Sequence, residues 1–187
     1  MSLENALKLH DECAASAELI DHIKKGSELL QIEGLAVAAK PWLLAGIMRK
    51  FPKKSILVVT YTQEQAELLA QAVQNYGISS DSIGFYPGNE SVVFEDAKPE
   101  FRITGERLST LHSLLNNKNQ ITIAPINALL SRTLPPGVLS KSRITLRVGD
   151  SMDIDDIAEK LVLLGYESTD VVDSRGEFAR RGGLMDI

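Results

Sequence analysis

Residues 34–41, with the sequence GLAVAAKP, come close to the pattern of a phosphate-binding loop. That pattern is Gly, four residues, Gly-Lys and then Ser or Thr, and it holds phosphates through backbone N–H groups and Mg²⁺ through the hydroxyl. Gly34 and Lys40 stand at the expected positions, but Ala39 replaces the second glycine and Pro41 replaces the hydroxyl residue. The stretch is therefore a nucleotide site, a remnant of one, or a coincidence of composition.

The substitutions in this loop remove the groups that phosphate binding needs. Glycine permits the dihedral angles and the close approach of a phosphate cradle, whereas Val37, Ala38 and Ala39 each carry a Cβ atom. Pro41 has neither a hydroxyl nor an N–H, and Lys40 alone would meet a phosphate only as a point charge. Pro41 also predicts an extended backbone at Lys40. We predict that no cofactor binds here and that this chain has no catalytic residues.

No other set of residues with catalytic or metal-binding spacing stands out. The predicted strands at 55–62 and 120–126 do not end in the carboxylate that would hold Mg²⁺ in a nucleotide site. The three histidines are scattered, and the single cysteine, Cys13, can form no disulfide within the chain. We expect no metal site and a reducing compartment.

Composition excludes several classes of protein. Hydrophobic residues make up 44% of the chain, which is enough for a core, and the formal net charge of -5 argues against a general nucleic-acid binder. The N-terminus carries acids where a signal peptide carries bases, and the apolar stretch at 34–48 is shorter than the ~20 residues of a membrane span. We expect a cytoplasmic protein with no membrane partner. The apolar end GGLMDI leads us to expect a fragment of a longer protein.

The first two thirds of the chain alternate between strand and helix patterns, which predicts a parallel sheet with helices on both faces. A capping box at Thr62 and Gln65 begins one helix, and Pro41 suits the first turn of another. The strand at 55–62 is expected to be buried on both faces because it has few polar residues. The predicted strands are 28–35, 55–62, 82–87 and 120–126, and the predicted helices are 14–25, 41–50, 62–76 and 100–117.

The pattern changes after 133–137, where Pro-Pro-Gly interrupts the chain. Residues 143–150 alternate like an antiparallel strand, and a helix with acids in its first turn follows and ends at Gly165. Two further strands are predicted to join at 174–176. We therefore predict a small α+β unit over 133–187, after a first domain over 1–132.

Three stretches resemble the N-terminal region of the transcription-repair coupling factors, a family related in this region to UvrB of nucleotide excision repair. They are 106–115, 121–132 and, above all, 165–187, where Gly-Tyr precedes Arg-Gly-Glu-Phe and then Arg-Gly-Gly-Leu-Met-Asp-Ile. The resemblance implies a RecA-like domain 1a with a degenerate nucleotide site, followed by part of a UvrA-binding domain 2. The decayed loop at 34–41 favours this branch of the family over UvrB.

The resemblance also implies a function. The chain would be a non-catalytic scaffold that recruits UvrA, within a parent that is an ATP-dependent DNA translocase able to displace stalled RNA polymerase. ATP and Mg²⁺ would bind in helicase-like motor domains that this chain lacks. RNA polymerase and DNA would likewise contact missing parts of the parent.

By the same resemblance, arginines of domain 2 contact acidic groups of UvrA, and the best-matched position is Arg181. A second arginine position falls on Ala179, and an upstream one falls on Glu167 or Ser168, so the chain departs from the pattern at both. Alternation places Arg181 and Ala179 on one face of a strand.

Three further residues are partner-binding candidates because they lie beside Arg181. Arg180 and Arg175 can substitute for the missing arginines, although alternation puts Arg180 on the opposite strand face. Phe178 is the third candidate, and a packing role is favoured for it over a role as an interface anchor. The alternative is that all these arginines are solvated surface charges.

Other functions stay open at this point. One alternative is a P-loop NTPase with an unusual loop, and another is a truncated UvrB-like damage-recognition protein. A third is a DNA-binding module. In UvrB an aromatic hairpin grips DNA, but the loop at 86–100 is short and acidic, and carboxylates repel phosphates.

Overall fold

The computed structural model describes residues 3–26, 29–88, 101–118 and 120–187. The acidic loop predicted at 86–100 therefore lies almost wholly outside the described residues. The helices are α1 (Leu3–Glu12), α2 (Ala14–Lys25), α3 (Lys40–Lys50), α4 (Gln63–Gln74), α5 (Phe101–Leu115), α6 (Ile126–Leu130), α7 (Pro136–Lys141) and α8 (Ile154–Leu163). The strands are β1 (Ile56–Thr60), β2 (Ile83–Phe85), β3 (Ile121–Pro125), β4 (Glu167–Ser168), β5 (Glu177–Arg181) and β6 (Leu184–Asp186).

The first sheet is parallel and has the strand order β1-β3-β2. Ile121 of β3 is level with Ile56 on one side and Ile83 on the other. Side chains of α3 and α4, among them Met48 and Val73, pack on the sheet face that carries Ile121 and Ile123. Residues of α5 and α6 pack on the opposite face, around Ala124 and Tyr86. The predicted α/β fold with helices on both faces of a parallel sheet is confirmed.

Strand β1 lies at one edge of this sheet and is buried on one face only. Ile56 and Val58 pack into the core, whereas Leu57 is 57% exposed and Val59 is 46% exposed. On the exposed side, α5 packs against β2 and α6 against β3. The prediction that β1 is buried on both faces was wrong, because an apolar sequence cannot show which neighbours will cover it.

The early strand predicted at 28–35 is also wrong, since residues 29–36 form no strand. Leu29 and Ile32 are exposed, and the described part of the chain offers this segment no strand to pair with. Apolar residues favour a strand only where another strand satisfies the backbone hydrogen bonds. The predicted strand at 28–35 and the predicted helix at 41–50 would place the loop at 34–41 between a strand and a helix, but no strand precedes it among residues 29–36.

Local signals place most helix ends correctly. The Thr62 hydroxyl accepts a hydrogen bond from the Gln65 backbone N–H at 3.2 Å, as the capping box predicts. Gly26, with a φ of 74°, ends α2 in the left-handed conformation. Pro41 lies in the first turn of α3, where its missing N–H leaves no bond unmade.

A buried histidine of α1 packs against α3. The His10 side chain is 2% exposed and meets the Trp42 ring edge-on, with 5.0 Å between ring centroids. Its ring covers Gly46, where a Cβ atom would lie 2.1 Å from Cδ2 of the imidazole. The close approach of α1 to α3 therefore depends on the missing side chain at position 46.

The second sheet is mixed, with the order β4-β5-β6. Strand β4 runs parallel to β5, and β5 runs antiparallel to β6. Ile157 and Leu161 of α8 pack on Phe178 of β5 and form a separate core. This arrangement is the small α+β unit that the sequence predicts, while the division of the chain into domains 1–132 and 133–187 stays a prediction.

Two details of this unit differ from the prediction. Residues 143–150 pair with no strand of the described structure, and Arg147 and Asp150 close a turn through two hydrogen bonds of 2.9 and 3.0 Å. The strands on either side of 174–176 are β4 and β5, and the second of the two predicted strands is divided into β5 and β6 by Gly182 and Gly183. Gly182 has a φ of 61°, and two glycines in this position form a tight two-residue hairpin turn.

Candidate functional site

The loop at 34–41 uses its backbone N–H groups within the chain. Residues Val37–Ala39 form a single 3₁₀ turn, in which the Ala39 N–H donates to the carbonyl oxygen of Ala36 at 2.9 Å. The Lys40 N–H donates to the carbonyl oxygen of Val37. A phosphate-binding loop points these donors at its ligand, so this conformation lacks the cradle that the motif requires.

Lys40 has helical dihedral angles, with φ −59° and ψ −47°, so the extended conformation that we predicted for it is wrong. The 3₁₀ turn runs directly into α3, and the hydrogen bonds of this continuous helix outweigh the local preference that Pro41 imposes. The Lys40 side chain is exposed. Pro41 is buried and serves as a packing residue at the start of α3.

The predicted partner-binding residues lie on or just before β5, and alternation divides them between its two faces. Phe178 and Arg180 point towards α8, while Ala179 and Arg181 point to the other side. Phe178 is buried against Ile157 and Leu161 of α8. This burial supports a packing role for Phe178 rather than direct contact with a partner.

Arg180 already has a partner within the chain. Its guanidinium Nη1 forms an ion pair with the carboxylate Oδ1 of Asp155, in the first turn of α8. Both side chains are partly exposed, and such surface pairs contribute about 0–1 kcal/mol to stability. Arg180 thus lies against α8, away from the face that carries Arg181.

The side chain of Arg175 packs against α5, which belongs to the parallel-sheet part of the structure. Its Nη1 atom is 3.2 Å from the position that a Cβ atom of Gly105 would occupy. The next residue, Gly176, has a φ of 90°, and a Cβ atom at this position would lie 3.1 Å from the ring of Phe101. The turn at 174–176 therefore packs against α5. Arg175 lies near α5 and is not part of the strand face that carries Arg181.

Arg181 is exposed on a surface that we call the hairpin face, formed by the side chains of β5 and β6 that point away from α8. The antiparallel register pairs Arg181 with Leu184 and Ala179 with Asp186, so these four residues share that face. One guanidinium N–H of Arg181, on Nη2, donates to the backbone carbonyl of Asp170 at 3.1 Å. A guanidinium carries five such donors, so the exposed Arg181 retains the capacity to bind a carboxylate.

The positions where the family pattern has further arginines do not add positive charge to the hairpin face. Ala179 is buried and uncharged. Glu167 of β4 is level with Glu177 of β5, which places both acids on the same side as Arg181. Ser168 is level with Phe178, on the other side. Arg181 is therefore the one predicted arginine that the hairpin face carries.

Sequence reasoning missed three participants at this site. Asp155 and Asp170 hold arginines from 25 and 11 positions away, and no local pattern signals such pairs. Leu184 could have been found, because Arg-Gly-Gly-Leu predicts a two-residue hairpin turn that sets Arg181 and Leu184 opposite each other. No metal-binding group of three or more His, Cys, Asp or Glu occurs among the described residues. None of the described helices is long and apolar enough to cross a membrane.

Comparison with known proteins adds to this geometry. A family model described as the UvrB interaction domain matches residues 144–187. The chain is 33% identical over 162 residues to the transcription-repair-coupling factor of Staphylococcus haemolyticus. The matched region covers 87% of this chain and 14% of that protein. The Bacillus subtilis factor is 29% identical over 170 residues, which are 90% of this chain and 14% of that factor. A Staphylococcus aureus factor is 30% identical over 158 residues, which are 83% of this chain and 13% of that factor. The chain thus spans about one seventh of the length of these curated relatives.

Proposed function

Because this chain belongs to the transcription-repair-coupling factor family, we propose that it is the part of such a factor that recruits UvrA in transcription-coupled nucleotide excision repair. The observation that carries this proposal is the match of residues 144–187 to the UvrB interaction domain. That match contains the whole hairpin face, including Arg181. A function in partner binding fits a surface that presents an exposed cation with unused donors.

The chemistry of the hairpin face suits an acidic partner. Arginine offers a planar fork of donors that matches a carboxylate, and its charge persists at any physiological pH. The Asp170 carbonyl, 3.1 Å from Nη2, steadies the side chain before a partner arrives. A side chain held in place loses less conformational entropy on binding. We therefore assign the direct contact with an acidic group of UvrA to Arg181.

We further propose that this chain is a scaffold without nucleotide chemistry of its own. In the loop at 34–41, the N–H groups of Ala39 and Lys40 donate within the chain, and Pro41 supplies no hydroxyl for Mg²⁺. In the parent protein, ATP and Mg²⁺ would bind in helicase-like motor domains outside this chain. Those parts would translocate on DNA and displace RNA polymerase.

Binding of the whole 187-residue chain to purified UvrA, measured by isothermal titration calorimetry, tests the proposal. Arg181→Ala should weaken the complex at least about tenfold, since loss of one charged contact at an interface costs about 1.4 kcal/mol or more. Arg180→Ala is the matched control, because this arginine lies on the other face of β5 and is paired with Asp155. It should change the affinity by less than about threefold.

Absence of UvrA binding by the wild-type chain would refute the proposed function. Equal affinity of Arg181→Ala and the wild type would move the docking surface elsewhere on the chain. A separate titration with Mg-ATP checks the scaffold assignment. Micromolar affinity that Lys40→Ala abolishes would show that residues 34–41 form a working nucleotide site after all.

A further inference from the structure

The hairpin face carries an exposed leucine directly beside its arginine. Leu184 is 73% exposed and is paired with Arg181 across the two strands. Directly opposite residues of an antiparallel pair have Cβ atoms about 4.5–5.5 Å apart and point to the same side. The aliphatic stem of Arg181 and the side chain of Leu184 therefore form one mixed surface next to the hairpin turn.

The turn itself leaves this surface open. A Cβ atom added at Gly182 or Gly183 would meet nothing within 4 Å. A partner can thus approach the tip of the hairpin closely and cover both side chains at once. Met185, the next residue along β6, points the other way and packs against the core beneath Phe178. Leu184 is consequently not needed to hold the hairpin on α8.

We propose that Leu184 is an apolar anchor for the partner that Arg181 binds, and that the partner presents a carboxylate next to an apolar contact. This inference rests on the proposed function, with UvrA as the partner. Interfaces draw most of their free energy from a few residues, and an arginine gains most where neighbouring apolar contacts exclude water from its hydrogen bonds. Leu184 is the residue placed to exclude water around Arg181.

The charged residues on the hairpin face indicate where the partner's carboxylate would bind. Asp186 is paired with Ala179, two residues from the turn along β6, and Glu167 and Glu177 lie at the far end of the sheet. A carboxylate placed near these acids would be repelled. The acidic group of the partner therefore belongs at the tip of the hairpin, with its apolar contact over Leu184.

The test measures UvrA binding by the whole chain carrying Leu184→Ser, with Leu163→Ser as the matched control. Leu163 is 85% exposed on α8, outside the hairpin face. Leu163→Ser therefore removes the same kind of side chain at a position where the proposal expects no contact with the partner. Leu184→Ser should weaken binding at least about tenfold, and Leu163→Ser by less than about twofold. Leu184→Met, which keeps an apolar side chain of similar size, should retain binding within about threefold.

Folding is checked for every variant by circular dichroism and urea unfolding, and Leu184→Gln provides a second polar replacement should Leu184→Ser unfold. If Arg181→Ala weakens binding but both polar variants at 184 bind like the wild type, the inference about Leu184 is wrong and the proposed function stands. If the wild-type chain does not bind UvrA, the proposed function fails and the inference fails with it. The double mutant Arg181→Ala/Leu184→Ser gives a further check. If its loss of binding free energy equals the sum of the two single losses, the inference about Leu184 is also wrong, since two side chains that act together should show coupling.

Discussion

Replacing Gly46 by alanine should weaken the docking of the N-terminal helices on α3. The new Cβ atom would lie 2.1, 2.2 and 2.5 Å from Cδ2, Nε2 and Cε1 of the His10 ring. Distances this short require the imidazole to move. The ring is buried and packs edge-on against Trp42, so moving it disturbs the contact between α1 and α3.

Two opposing terms set the size of the effect. Alanine is more favourable than glycine inside a helix by about 0.8–1.0 kcal/mol. Overpacking of a well-filled contact usually costs about 1–3 kcal/mol. Because three ring atoms overlap the new methyl group, we expect the upper part of that range. The free energy of unfolding should therefore fall by roughly 1–2 kcal/mol.

Urea unfolding of the wild type, Gly46→Ala and a matched control, Gly137→Ala, measures this difference. Gly137 is also helical, but a Cβ atom there would meet nothing within 4 Å, so its replacement should be neutral or stabilising. In a His10→Ala background the clash disappears, and Gly46→Ala should then be stabilising as well. Destabilisation of equal size with and without His10 would refute this explanation of the close approach.

Two further predictions concern stability. Burial lowers the pKa of the His10 imidazole from its ordinary 6.5, opposed in part by Asp11, and its Nε2 has no hydrogen-bond partner. The unfolded chain therefore binds this proton more readily, so the contribution of His10 to the free energy of unfolding should fall as the pH drops below 6.5. Urea unfolding from pH 8 to pH 5 should accordingly show a smaller loss of stability in His10→Gln than in the wild type. Gly176→Ala should lower the melting temperature, because Gly176 has a φ of 90° and a Cβ atom there would lie 3.1 Å from the Phe101 ring. Gly149→Ala, at a φ of 95° with nothing within 4 Å of the added Cβ atom, is the matched control, and an equal loss in both variants would contradict the contact with α5.

Local patterns in the sequence were enough to predict most helices and the class of the fold. The caps at Thr62 and Gly26 and the start of α3 at Pro41 follow from interactions between residues at most four positions apart. The alternation of strands and helices was likewise enough to predict a parallel sheet. The replacement of the motif's second glycine by Ala39 and of its hydroxyl residue by Pro41 is read directly from the sequence.

The errors arose where a strand depends on its neighbours. The apolar run at 28–35 and the alternating run at 143–150 both suit a strand, yet neither has a partner strand in the described structure. Leu57 and Val59 of β1 are as apolar as core residues but are partly exposed because β1 is an edge strand. Pairing and coverage are set by residues far away in the chain, and a local pattern carries no information about them.

The sequence by itself determined that Arg181 and Arg180 point to opposite faces, because side chains alternate along any strand. Only the tertiary structure decided what each arginine meets. Arg180 is paired with Asp155 on α8, and Arg175 is placed on α5 across a separation of seventy residues from Gly105. Arg181 and Leu184 are exposed next to the hairpin turn, whereas Ala179 on the same strand face is buried, and a local pattern in the sequence carries no information about which part of a face is covered.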